Sequence, residues 1–166
     1  MFLLTVIKDV KALRDNMANL QELVKWCDQT LMVHEFKDYA PNGLQIEGNP
    51  EVKKIVCAVT ALEAAIDAAI AGKADALLVH HGYFWKGEAY PITGMRGNRI
   101  RKLIQHNISL IAYHLPLDAH TTLGNNAAIA DLIGLKNIVA LDATEKYPIG
   151  NIGDLESAIT PEQFKA

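Results

Sequence analysis

The chain has 166 residues, half of them hydrophobic and 21% charged, enough to bury roughly 70% of its unfolded surface around one core. Sixteen Lys and Arg against 19 Asp and Glu give a net charge of -3, and the pI is near 6.0. That balance lacks the basic footprint needed for sequence-independent binding to nucleic acid or an anionic membrane. Cys27 and Cys57 stand far apart with no Cys-x-x-Cys pattern, which removes zinc-ribbon and thioredoxin readings and fits a reducing cytoplasm.

Residues 2–7 are apolar, but the run is short, lacks a basic leader and is followed by alternating charge at Lys8, Asp9, Lys11 and Arg14. It fits neither a signal peptide nor a membrane span, and residues 1–18 read as a weakly helical N-terminal extension without chemistry. From Asn19, an N-cap residue, Leu20, Leu23, Val24, Cys27 and Leu31 recur at spacings of three and four, which predicts an amphipathic helix. Trp26 on this helix reads as a packing residue. Residues 33–38 read as a polar connection in which His34 is exposed or locally hydrogen-bonded. Pro41-Asn42-Gly43 reads as a turn, because Asn-Gly accepts positive φ readily, with Asn42 a candidate to face a ligand.

Residues 54–59 predict a strand, and Thr60 is placed to cap an Ala-rich helix over 62–71 that Gly72 closes. Residues 75–79 are the next strand, so the unit reads strand, helix, strand and implies a parallel pair. No Gly-x-Gly-x-x-Gly or Walker-type loop sits at its first turn, so a dinucleotide or P-loop site lacks its usual device. The second strand stops at His80-His81-Gly82, at the carboxyl end where open α/β sheets place ligands. Neighbouring side chains on a regular strand point to opposite faces, so both imidazoles reach one site only if the backbone bends, and Gly82 permits that bend. A lone histidine at a strand end is usually just hydrogen-bonded; two in a row divide the odds evenly between that reading and a metal site.

Between residues 82 and 94, Tyr83, Phe84, Trp85 and Tyr90 flank Lys86 and Glu88. Such aromatics suit stacking on a purine or pterin ring, and suit slightly better covering a metal cleft or touching a neighbouring subunit. Arg96, Arg99, Arg101 and Lys102 crowd the start of a helix whose apolar side carries Ile100, Leu103 and Ile104. Helix N-termini and arginine forks bind phosphate, although a solvated basic face is the commoner explanation. His106 at this helix's C-terminal end reads as structural, favoured there by the dipole.

Residues 108–113 predict another strand, and it too ends at a histidine, His114. Pro116 cannot continue a central strand, so the chain leaves the sheet and Asp118 follows from a loop near the same edge. Two strands then deliver His80, His81, His114 and Asp118 to one rim. Imidazole with carboxylate suits zinc, iron or manganese, and one carboxylate can bridge two ions. His120 is placed to orient Asp118 or a water. A helix over 127–133 closed by Gly134 and a strand over 137–141 follow. Residues 142–166 lack a clear period, Glu145, Asp154 and Glu156 read as surface residues, and Thr160-Pro161 opens a short helix.

Three stretches together carry a resemblance: Tyr39-Ala40-Pro41-Asn42-Gly43-Leu44-Gln45-Ile46-Glu47-Gly48, then His80-His81-Gly82-Tyr83-Phe84-Trp85-Lys86-Gly87, then Tyr113-His114-Leu115-Pro116-Leu117-Asp118-Ala119-His120. In this order they resemble the dinuclear metal-centre family, NGG-interacting-factor-like proteins labelled homologues of a type 2 GTP cyclohydrolase I. The match covers about residues 17–135. It implies two divalent metal ions, with His80, His81 and Asp118 as ligands and His114 close to the site. It also implies a homo-oligomer, a hexameric ring, acting on a small-molecule substrate.

Longer family members complete the site with a His and a Glu one turn apart in a second half. No histidine follows His120 here, so the binuclear site is expected to be incomplete within this chain. The expected fold is α/β, a mostly parallel sheet flanked by helices, one lobe of a two-lobed family fold. Residues 19–142 form its metal-binding domain, and 143–166 a tail or the start of the second half. The expected function is metal-assisted hydrolysis of a nucleotide or phosphorylated small molecule, with His114 or His120 orienting water or shuttling a proton. The alternative is a non-catalytic metal-binding protein that forms a ring or docks a partner.

Overall fold

A computed structural model describes residues 17–165 of the chain. The extension expected before residue 17 lies outside the described residues. Two compact units are present, the first ending at His114 and the second Leu115–Ala166.

The first unit begins with β1 (Ala18–Asn19) and α1 (Leu20–Thr30). Asn19 caps α1 as its residue type predicts, its side chain accepting from the backbone N–H groups of Gln21 and Glu22 at 3.0 and 3.2 Å. Leu20 and Val24 are buried, whereas Trp26 is 60% exposed and does not pack as expected. After a 3-10 turn at Val33–Glu35 come β2 (Gly43–Ile46), β3 (Glu51–Val52), which pairs with β1, and β4 (Ile55–Thr60). Then follow α2 (Glu63–Ala71), β5 (Ala76–His81), α3 (Gly94–Gln105) and β6 (Ser109–Ala112). Thr60 does not cap α2; it is the last residue of β4, and Leu62 stands at the cap without a side-chain bond.

The central sheet has the order β2-β6-β5-β4. β4 and β6 both run parallel to β5, with Leu77 opposite Val56 on one side and Leu110 on the other. The edge strand β2 is antiparallel to β6, which makes the sheet mixed while most of its pairings are parallel. β2 escapes a period-2 search because it is four residues long and its register slips between Leu44 and Ile46, so that Gln45 sits in a bulge. Leu77, Val79, Leu110 and Ala112 cluster with Ile66 and Ala69 of α2 and with Ile100 and Leu103 of α3. This continuous apolar core fixes β5, the strand that ends in the two histidines.

Helix α3 carries the basic residues, and each of the four finds a partner within the unit. Lys102 bonds to Glu63 and Asp67 of α2, Arg99 lies 3.7 Å from Glu63, Arg96 reaches Glu88 at 2.7 Å, and Arg101 bonds Asn98. The α2–α3 contact is therefore clasped by charge above an apolar base.

The second unit contains α4 (Leu115–Ala119), α5 (Asn125–Leu132), β7 (Lys136–Ala140), β8 (Asn151–Asp154) and α6 (Pro161–Lys165). Asp118 thus lies on a short helix and not on a loop. β7 and β8 form an antiparallel pair, and α6 begins where Thr160-Pro161 predicts it. Among the described residues no helix is long and apolar enough to cross a membrane.

Candidate metal centre

Three imidazoles meet at the carboxyl end of the parallel strands. One potential ligand atom from each of His80, His81 and His114 lies within 4.8 Å of the other two. The ring centroids of His80 and His81 are 4.4 Å apart, and His80 to His114 is 4.9 Å.

Consecutive residues of one strand converge here because each ring is tied to a different neighbouring strand. His81 pairs across to β4, where its Nδ1 lies 3.1 Å from the Thr60 hydroxyl. His80 turns to the β6 side, its Nδ1 3.0 Å from the backbone carbonyl of Tyr113. Gly82 contributes by close approach and not by positive φ: a Cβ there would lie 2.2 Å from Oε1 of Gln45. That oxygen accepts from the Tyr83 backbone N–H at 2.7 Å, so the bulged Gln45 holds the loop that leaves the histidines.

These bonds also set the tautomers. A carbonyl oxygen only accepts, so Nδ1 of His80 carries the hydrogen and the lone pair is on Nε2. His114 is arranged likewise, its Nδ1 3.0 and 3.2 Å from the two carboxylate oxygens of Asp38. Neutral imidazoles with Nε2 lone pairs and anchored Nδ1 atoms are what a divalent ion needs, and the donor set fits zinc, iron or manganese. Three donors within this span suit one ion or a pair about 3.5–4 Å apart.

The aromatic residues form a wall beside the histidines. Trp85 meets His114 edge-on at 5.0 Å and lies 5.9 Å from His81, and Tyr39 packs against both Trp85 and His114 at 5.6 and 5.1 Å. Tyr83 points instead into the core, donating from its hydroxyl to the Ala61 carbonyl at 2.6 Å. Burial pushes its pKa up to about 12.

The model of the family Duf34/NIF3 (NGG1p interacting factor 3) matches residues 18–166. The chain belongs to this family. Among Duf34/NIF3 relatives, it is 60% identical over 119 residues to the GTP cyclohydrolase 1 type 2 homolog of Vibrio cholerae, covering 72% of this chain and 47% of the relative. It is 51% identical over 144 residues to the protein of the same name from Neisseria meningitidis, covering 84% and 55%. A solved structure, protein ybgI of unknown function, aligns with a TM-score of 0.72 at 48% identity, over 74% of this chain and 49% of that one. The chain therefore spans about half the length of the curated relatives it matches.

In this Duf34/NIF3 chain the remaining expected site residues, Asp118 and His120, belong to the second unit. Asp118 accepts from the Asn125 side-chain amide at 2.9 Å. His120 accepts at Nδ1 from the backbone N–H groups of Thr122 and Leu123, at 3.3 and 3.0 Å. Nδ1 of His120 is thus an acceptor, the reverse of Nδ1 in His80 and His114, and its hydrogen is on Nε2. His34 and His106 are elsewhere: His34 is 3.5 Å from Glu35, and His106 closes α3.

Asp38, Thr60 and Gln45 are site-shaping residues that their local sequence did not disclose, because each acts on a partner far along the chain. Asn42, considered above as facing a ligand, instead accepts from the His114 backbone N–H at 2.7 Å and donates to Asp38 at 3.0 Å.

Proposed function

We propose that this chain carries a divalent metal centre of a metal-dependent hydrolase acting on a nucleotide or a phosphorylated small molecule. The observation that supports it most is the set of three imidazoles within 4.8 Å, one of them backed by a buried carboxylate. In this reading His80 and His81, with His114 as a third imidazole, hold divalent ions of zinc, iron or manganese. Such ions, when bound, lower the pKa of water toward ~7 and act as Lewis acids on a phosphoryl or carbonyl oxygen. Asp38 and Tyr113 keep the His114 and His80 rings in one tautomer, and Trp85 screens one side from bulk water. The name shared by the relatives from Vibrio cholerae and Neisseria meningitidis favours a purine nucleotide among these substrates. Free thiols at Cys27 and Cys57 support a cytoplasmic site of action.

A second reading, a non-catalytic metal-binding protein assembled as a homo-oligomeric ring, is favoured by apolar side chains left exposed in the second unit, Leu132 at 84% and Leu141 at 69%. The two readings separate in one assay. The metal-loaded chain is tested against nucleotides and phosphoesters alongside His81→Ala. Turnover that disappears in the variant is the expected result; turnover that survives it, or none on any substrate, contradicts the enzyme reading.

A further inference from the structure

The buried carboxylate behind His114 has the geometry of a residue that acts on a ligand through a second residue. We propose that Asp38 is a positioning residue: through His114 it fixes the orientation and basicity of the third imidazole, and with them the affinity of the centre for a divalent ion. The inference rests on the metal reading of the three histidines.

Asp38 precedes the Tyr39-Ala40-Pro41-Asn42-Gly43 turn, and its side chain is only 3% exposed. A carboxylate taken out of water is costly unless its lone pairs are used. Here Oδ1 accepts from the Ala40 backbone N–H at 3.1 Å, Oδ2 accepts from the Asn42 amide at 3.0 Å, and both oxygens face Nδ1 of His114. Asn42 in turn accepts from the backbone N–H of His114. One turn thus grips His114 twice, by its ring and by its backbone. The carboxylate can accept the Nδ1 hydrogen only, which leaves the Nε2 lone pair for a metal ion. Its negative charge raises the electron density that this nitrogen donates, as carboxylate–histidine pairs do behind metal ions.

A packing role and a positioning role differ in whether the effect of Asp38 passes through His114. The test is Co2+ affinity, read from the cobalt absorption spectrum, for the native chain, Asp38→Ala, Asp38→Asn, His114→Ala and the double variant Asp38→Ala with His114→Ala. Asp38→Ala is expected to bind about 10–100-fold more weakly. Asp38→Asn, which keeps the shape and an accepting oxygen without the charge, is expected to fall between. In the His114→Ala background the Asp38→Ala penalty should vanish, because no ring remains to be oriented. If Asp38→Ala does not fold, Asp38→Asn carries the same comparison in both backgrounds.

Native affinity in the Asp38 variants, or an equal penalty with and without His114, overturns the inference while leaving the metal centre standing. Failure of the native chain to bind Co2+ overturns the metal reading itself and this inference with it.

Discussion

Replacing His80 or His81 with alanine is expected to weaken Zn2+ binding by at least about 100-fold, beyond the 10–100-fold that loss of a supporting residue costs. In the proposed centre each residue would contribute a nitrogen whose position is set by a neighbouring strand, His81 by Thr60 on β4 and His80 by the Tyr113 carbonyl after β6. An ion that loses one of these donors cannot recover it from nearby, because among the described residues these three histidines are the one group of His, Cys, Asp and Glu with ligand spacing. His34→Ala and His106→Ala are the controls, since these histidines pair with Glu35 and close α3. Competition with a chromophoric chelator measures all four. Native affinity in His80→Ala or His81→Ala would remove these side chains from the ligand set.

The second large effect is expected in the core beneath the site. Leu77 is fully buried near the start of β5, flanked by β4 and β6 and clustered with α2 and α3. Leu77→Ala removes three carbons that have no substitute there, and should cost about 2–5 kcal/mol of stability. At roughly 2–4 °C per kcal/mol for a chain of this size, Tm falls by about 4–20 °C. Leu132→Ala, at a mostly exposed position on α5, should stay within about 0.5 kcal/mol of the native chain. Thermal unfolding followed by circular dichroism gives both. Equal shifts in the two variants would mean that the parallel strands do not carry the stability.

The parallel strands and the helices between them were legible because their signals are local. β4, β5 and β6 are apolar runs bounded by polar residues or turns, α1 has its cap and its spacing, and α2 its closing Gly72. β2 and β8 were not, for a shared reason: Gly43–Ile46 and Asn151–Asp154 are four residues each, include glycine, and owe their strand state to a partner strand. Pro116 correctly marked the exit from the sheet, but the chain turns into α4 there, since proline is well tolerated in a helix's first turn.

The same division runs through the site. His80, His81 and His114 announce themselves by ending apolar runs. Asp38 gives no such signal, because its partner His114 lies 76 residues away and no periodicity connects them. Thr60 looked like a helix cap because a hydroxyl just before a helix usually is one. In the fold its hydroxyl faces Nδ1 of His81, a role that appears only once β4 and β5 are paired in register.

The most direct test of the account is elemental analysis of the purified 166-residue chain after dialysis against metal-free buffer. About one or two equivalents of zinc, iron or manganese per chain, retained through dialysis, are expected. A chain that is folded by circular dichroism and carries no metal, even after incubation with each ion, would contradict it.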